Sequence, residues 1–222
     1  MGAKVLFRKA VQERNQTMNI LAIGAHPDDC EIHAGGTLFK YFQGQCGVYT
    51  LVLSQATKAR KAEAEAAMQI LSLPMPLYAN LSKKQMCDLR QVVKMIEAAV
   101  DEAMPDIVFT HHYADSHQDH RAAYYATLAA CREKTITTLL YEPNYSGGHT
   151  AATFRPQWFE TLSEFHIEMK VKAIACHESQ KPGRWLDRVK AASVYWGPEA
   201  CSKYAEAFEV VKVMPREMRV YG

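Results

Sequence analysis

The stretch Asn19-Ile20-Leu21-Ala22-Ile23-Gly24-Ala25 runs directly into His26-Pro27-Asp28-Asp29. Beyond Asn19 every residue of the first segment is apolar or glycine, the pattern of a strand buried on both faces of a parallel sheet. Working outward, the sequence predicts further strands over 47–53, 77–80, 106–110, 135–141 and 208–213, rich in β-branched and aromatic residues. Between them, apolar residues at helical spacing predict helices over 35–43, 60–71, 84–104, 120–131, 163–176 and 185–195. Strands alternating with helices at this spacing define an α/β chain, a Rossmann-like, mostly parallel sheet with helices on both faces and right-handed crossovers. Residues 142–157, with Pro143, Gly147, Gly148 and Pro156, read as a loop long enough to be functional.

The chain has 222 residues, 26 Lys+Arg against 24 Asp+Glu, and is 48% hydrophobic. This length suits one domain with a core large enough to need no disulfide staple. We expect residues 18–222 to form that domain and residues 1–17, with Lys4, Arg8, Lys9 and Arg14, to be an N-terminal extension; a transit peptide is the rival reading, against which stand Glu13 and the lack of Ser. Balanced charge excludes a nucleic-acid binder that works by bulk electrostatics. No apolar run approaches the roughly 20 residues of a membrane span. Six scattered cysteines without a CxxC pair, and no recognisable signal peptide, suggest reduced thiols and a cytoplasmic protein.

In an open α/β sheet, ligands bind outside the carboxyl ends of the strands where strand order reverses, which in a Rossmann-type order is between the first and fourth strands. The polar residues concentrate there. After the first strand stand His26, Asp28, Asp29 and Glu31; after the fourth stand His111, His112, Asp115, His117, Asp119 and His120. Imidazole and carboxylate suit Zn²⁺. His26 and Asp29, three residues apart on a turn, can address one ion, and His120 can supply a third ligand across the switch point. Three ligands and an open position are the pattern of a catalytic zinc, and Asp28 is placed as general base toward a water at that position. The plainer alternative makes Asp28 or Asp29 the cap of the next helix, and Asp115 or Asp119 the cap of the helix near His120.

These residues resemble the LmbE-like, or PIG-L, zinc-dependent de-N-acetylase family. The resemblance covers nearly everything from Met18 onward. It rests on Ala25-His26-Pro27-Asp28-Asp29 with Gly35-Gly36-Thr37, on Asp115-x-His117-x-Asp119-His120, on Arg60-x-x-Glu63, and on segments 141–143, 179–180 and 205–208. It implies zinc at His26, Asp29 and His120, with Asp28 as base. It implies His117 as the group that protonates the leaving amine or stabilises the oxyanion, with Asp119 orienting His117. The implied reaction is hydrolysis of an acetamide on an N-acetylated amino sugar of the N-acetylglucosamine type or its glycoconjugate, nucleotide-linked substrates included. Two departures touch substrate contacts: Ser54-Gln55-Ala56-Thr57-Lys58 replaces a Thr-x-Gly-type turn, and Asn80 stands where many members carry an Asp for a sugar hydroxyl.

Arg60 is the best candidate to fork onto vicinal substrate oxygens, its alternative being a helix-start pair with Glu63. Lys58, Lys61, Lys181 and Arg184 are candidates for a pyrophosphate rim, and Tyr145, Trp158 and Trp185 for stacking on a sugar face or packing down the loop. His33 reads as facing solvent or the core rather than zinc, and His111 and His112 read as packing residues, one of these two being able to reach substrate or the shell behind a ligand. Rival functions are a zinc amidase for a bulkier amide and a non-catalytic nucleotide-binding or regulatory module. Against the module, Asp28 and His117 persist beside the ligand set and no GxGxxG follows the first strand. Apolar and aromatic residues in the last third leave room for a homo-oligomer interface.

Overall fold

A computed structural model describes residues 18–143 and 154–214. The N-terminal extension, most of the 142–157 loop and Tyr145 therefore lie outside the described residues, as does the side chain of Arg184. The elements, in chain order, are β1 (Asn19–Gly24), α1 (Asp29–Gln43), β2 (Gly47–Ser54), α2 (Lys58–Ile70), β3 (Leu77–Leu81), α3 (Lys83–Met86), α4 (Leu89–Ala103), β4 (Ile107–Thr110), α5 (Gln118–Cys131), β5 (Thr137–Tyr141), β6 (Trp158–Leu162), α6 (Glu164–Ala175), α7 (Gly183–Trp196) and β7 (Tyr204–Lys212). They build one seven-stranded sheet of order β3-β2-β1-β4-β5-β7-β6. All pairings are parallel except those of β7, which runs antiparallel to β5 and β6. The expected neighbourhood of the first and fourth strands is present, with Ile20, Leu21 and Ala22 opposite Ile107, Val108 and Phe109.

The pleat of β1 divides the core. Leu21 and Ile23 join a cluster with Val92, Ile96 and Val100 of α4 and Ala123 and Ala126 of α5. Ile20 and Ala22 face the other way, into a cluster with Leu38 and Phe39 of α1, Met68 of α2 and Ala173 of α6. Alternating side chains thus bury both faces of the same strand, which is why it reads as a continuous apolar run.

Four expectations need correction. The helix expected over 84–104 is two helices. Ser82 and Gln85 form a capping box on α3, and Asp88 starts α4 by accepting from the backbone N–H of Arg90 at 3.1 Å. The helix expected from Gly35 begins six residues earlier, at Asp29, because the turn ends at Asp28. A strand over Trp158–Leu162, absent from the sequence reading, forms the sheet edge. The last strand spans 204–212 rather than 208–213.

Gly36 explains how β6 and β7 approach α1. A Cβ there would lie 2.6 Å from Leu162 Cδ1 and 3.2 Å from Glu206 Oε1. Buried Glu206 accepts from the backbone N–H groups of Gly36 and Thr37 at 3.1 and 2.7 Å and from Lys170 Nζ at 2.5 Å. The Gly-Gly-Thr segment is therefore the place where helix and sheet meet backbone to side chain.

Candidate active site

Gly24 ends β1 in a turn too tight for a side chain, since a Cβ would stand 3.0 Å from the His26 carbonyl oxygen and 3.1 Å from Asp29 Cβ. Asp29 fixes that turn by accepting the backbone N–H of His26 at Oδ2, 2.7 Å away. Asp28, the residue before α1, makes no capping bond with its side chain. Its Oδ1 instead accepts from Arg60 Nη2 at 2.9 Å. At the other motif the cap of α5 is His117, whose Nδ1 accepts from the Asp119 backbone N–H at 3.1 Å, so neither Asp115 nor Asp119 caps that helix.

The two motifs meet at one point. His120 Nε2 lies 3.3 Å from His26 Nδ1 and 3.5 Å from Asp29 Oδ1, and His26 Nδ1 lies 3.5 Å from Asp29 Oδ2. Donors placed about 2.0–2.1 Å from a tetrahedral Zn²⁺ are separated by about 3.3–3.4 Å, close to the spacing of the two imidazole nitrogens from each other and from the Asp29 carboxylate, which meets His120 through Oδ1 and His26 through Oδ2. The donor field is wider than three residues: His26, His117 and His120, and likewise Asp29, His111 and His120, each offer atoms mutually within 4.8 Å. His117 packs edge-on against His26 at a centroid distance of 4.7 Å and stacks on His120 at 4.8 Å.

Partners of the cluster were not all legible. Asp119 Oδ2 lies 3.2 Å from His26 Nε2, so its carboxylate is held against His26, where the resemblance implied an orienting contact to His117. Asp115 Oδ2 lies 3.0 Å from His120 Nδ1. His111, read as packing, is fully buried with Nε2 3.1 Å from Asp29 Oδ2. For Asp115 the hint was its place in the Asp-x-His-x-Asp-His segment; for His111 it was only that one of the two histidines ending the fourth strand could reach a ligand, with nothing to tell it from His112. His33 is buried, lines the cavity and stacks on Tyr141, with centroids 5.0 Å apart. His112 pairs with Glu209 at 3.2 Å.

One turn of α2 serves two parts of the site. Arg60 reaches Asp28, while Glu63 accepts from the backbone N–H and hydroxyl of Ser179 at 2.8 and 2.7 Å. Arg60 and Glu63 thus do not pair with each other. Glu63 anchors the short 3₁₀ turn Glu178–Gln180, and Gln180 lines a cavity of about 230 Å³ together with the histidine cluster, Asp28, Arg60 and Trp185. Asn80 is elsewhere: its Oδ1 accepts from Lys61 Nζ at 2.8 Å, and it is not among the cavity-lining residues. Lys61 also lies over the Tyr78 ring at 4.8 Å. Trp158 donates to Glu160 at 2.8 Å, which commits its indole N–H to the sheet edge.

Electrostatics separate the titrating groups. Burial pushes the His26 and His120 imidazoles down, but Asp119 and Asp29 carry His26 up to about 9, and Asp29 and Asp115 carry His120 up to about 10. Burial and the charge of Asp29 raise Asp28, with Arg60 opposing them. Burial would also raise Asp29, yet His120 and His111 hold it well below the usual carboxylate range. His117 is lowered by burial and by the positive charge on His26 and His120.

A mostly parallel sheet that gathers histidines and carboxylates at the mouths of its two central strands defines an α/β protein with an enzyme-type site at the switch point. The profile of the family described as PIG-L, GlcNAc-PI de-N-acetylase, matches residues 21–131, and the chain belongs to that family. An uncharacterized deacetylase, YaiS, of Escherichia coli is 31% identical over 188 residues, covering 79% of this chain and 99% of its own. The diacetylchitobiose deacetylase of Thermococcus kodakarensis is 24% identical over 232 residues, covering 89% and 84%. Among solved structures, the conserved protein TT1542 of Thermus thermophilus superposes with a TM-score of 0.76 at 23% identity, over 93% of this chain and 100% of that one, a likeness of fold.

Proposed function

We propose that this chain is a zinc-dependent hydrolase that removes the acetyl group from an N-acetylated amino sugar or its conjugate. The observation that carries the reading is the gathering of His26 Nδ1 and His120 Nε2, 3.3 Å apart, around the Asp29 carboxylate, whose Oδ2 and Oδ1 lie 3.5 Å from them in turn, a spacing close to that around a tetrahedral ion. The relative that acts on diacetylchitobiose supports the amino-sugar class. Zinc held by His26, Asp29 and His120 supplies Lewis acidity toward the amide carbonyl and lowers the pKa of a water toward about 7.

The chain's own residues do the rest. Asp28, buried beside the ligand set, accepts the proton of the attacking water, and Arg60 orients it. His117, exposed at the mouth, gives a proton to the departing nitrogen, because an amide nitrogen leaves poorly unless protonated. Asp119, on His26, stabilises that imidazole. Arg60 is also the nearest substrate contact, and Asn80 is retained only as an outer contact for a larger conjugate. The strands β1 and β4, whose ends carry the two motifs, belong to the one sheet of the described residues, which supports a single domain from residue 18. A cytoplasmic setting is proposed with it, on the scattered cysteine spacing that suits reduced thiols.

The test is acetate release from a panel of N-acetyl sugars, sugar nucleotides and glycoconjugates, run beside metal analysis. We expect about one zinc per chain, lost in His120→Ala, and acetate from at least one amino sugar. Full zinc content in His120→Ala sinks the ligand set. Zinc-loaded protein that releases acetate from none of the panel sinks the substrate class.

A further inference from the structure

We infer that His111 and Asp115 are positioning residues that orient two of the metal ligands before any ion arrives, and so set the affinity of the site. The inference rests on the zinc reading above and adds residues to it. Asp115 is almost fully buried and anchored at one oxygen: Oδ1 accepts the His117 backbone N–H at 2.8 Å, and Oδ2 makes an ion-pair contact, 3.0 Å from His120 Nδ1, without hydrogen-bond alignment. The backbone carbonyl of Asp115 is held in turn by Arg121 Nη1 at 2.7 Å. A carboxylate fixed in this way favours a proton on Nδ1, so the proton that His120 gives up to an ion is the one on Nε2, the atom directed at His26 and Asp29.

His111 does the same for the carboxylate ligand. Its Nε2 lies 3.1 Å from Asp29 Oδ2 and also 3.1 Å from the Ala25 backbone nitrogen, whose N–H points at it, and its Nδ1 is buried without a partner. A proton on Nδ1 would orphan a buried donor and turn the Nε2 lone pair toward the Asp29 oxygen. A proton on Nε2 instead makes a charge-assisted bond to Asp29 and gives up the lone pair that the Ala25 N–H would use; the bond to an ionised carboxylate is the stronger of the two, and that is the arrangement we assign. Asp29 Oδ2 is then gripped from two sides, by His111 and by the His26 backbone N–H, which leaves little freedom to its other oxygen. His111 also stacks on His120, with ring centroids 3.9 Å apart, so the two positioning contacts share one packed layer.

The experiment is zinc affinity by chelator competition on the full chain for wild type, Asp115→Asn and His111→Gln. The visible spectrum of the Co²⁺-loaded forms reports ligand geometry independently of activity. We expect each variant to bind zinc about 10- to 100-fold more weakly, with a shifted cobalt spectrum and a metal-free melting temperature near that of wild type. Variants that match wild type in affinity and cobalt spectrum overturn the inference and leave the zinc reading standing. A wild-type chain that binds no zinc overturns both. Asp115→Asn keeps the shape and hydrogen-bonding reach of the side chain, so it decides the matter even if His111→Gln does not fold.

Discussion

Asp28 and Asp29 are adjacent, both buried, and placed in opposite electrostatic surroundings. Asp29 faces two histidines and stays ionised, as a ligand must; Asp28 faces Asp29 and is raised, as a base near neutrality needs. Arg60 is what keeps that rise in check, and the consequence has a definite sign. Removing it in Arg60→Met takes away the interaction favouring the ionised form, so Asp28 titrates higher still. The acid limb of the kcat/KM profile should then move to higher pH, and Arg60→Lys should move it less. An unmoved limb would detach Arg60 from Asp28. Asp28→Asn should retain zinc and lose roughly 10²- to 10⁴-fold in turnover, the usual contribution of a general base. The proposed roles of Asp28 and the ligand trio were readable from residue type and position after the strands. The Arg60–Asp28 contact was not, because the two residues are 32 apart in sequence and only the fold of α2 against the end of β1 brings them together.

Among the elements, α1 carries the site at one end and the sheet's far edge in its middle. Gly36 permits the second, so Gly36→Ala is the informative change. The added Cβ meets Leu162 Cδ1 at 2.6 Å and the Glu206 carboxylate, which is already occupied by two backbone donors and Lys170. Overpacking of this kind costs about 1–3 kcal/mol, more than the helix-propensity gain of about 1 kcal/mol from replacing glycine. Chemical denaturation of Gly36→Ala should therefore show net destabilisation; a stabilised variant would mean β6 and β7 yield freely. The same region shows where sequence reading loses its signal. Strands β1, β2 and β4 are buried on both faces and announce themselves as apolar runs. The Trp158–Leu162 strand is an edge with Glu160 in its centre, and that glutamate is held by Lys40, Tyr41 and Trp158, partners no local pattern reveals. The split between α3 and α4 was hidden because Asp88 looks like any polar helix residue until its carboxylate is seen accepting from Arg90. The start of α1 was hidden because the turn before it is closed by Asp29 itself, whose side chain accepts the His26 backbone N–H.

At the scale of the whole molecule, the proposed ligands come from opposite sides of the switch point: His26 and Asp29 follow β1, His120 opens α5 after β4. An ion there ties two crossover units together across neighbouring strands, in a chain with no disulfide to do so. Because the site exists only when the sheet is formed, the proposed zinc would bind the folded state and should stabilise it by about 2.7 kcal/mol at a hundredfold excess over Kd. For a chain of this size that is a rise of roughly 5–11 °C in Tm, somewhat reduced because unfolded histidines and cysteines also take zinc. The rise should depend on pH in a fixed direction. In the metal-free protein His26 and His120 titrate near 9 and 10, above the ordinary 6.5, so their protons stabilise the fold fully below about 6.5, and that contribution disappears as pH climbs through 9 to 10. Zinc requires both imidazoles neutral and must displace those protons, so each displaced proton costs it up to about tenfold in affinity per pH unit below that range. The zinc-induced shift in Tm should therefore grow between pH 6 and pH 8 and vanish on adding a chelator. A shift equal at both pH values would show that the ion does not compete with the protons on His26 and His120, and that the cluster joining β1 to α5 is not where it binds.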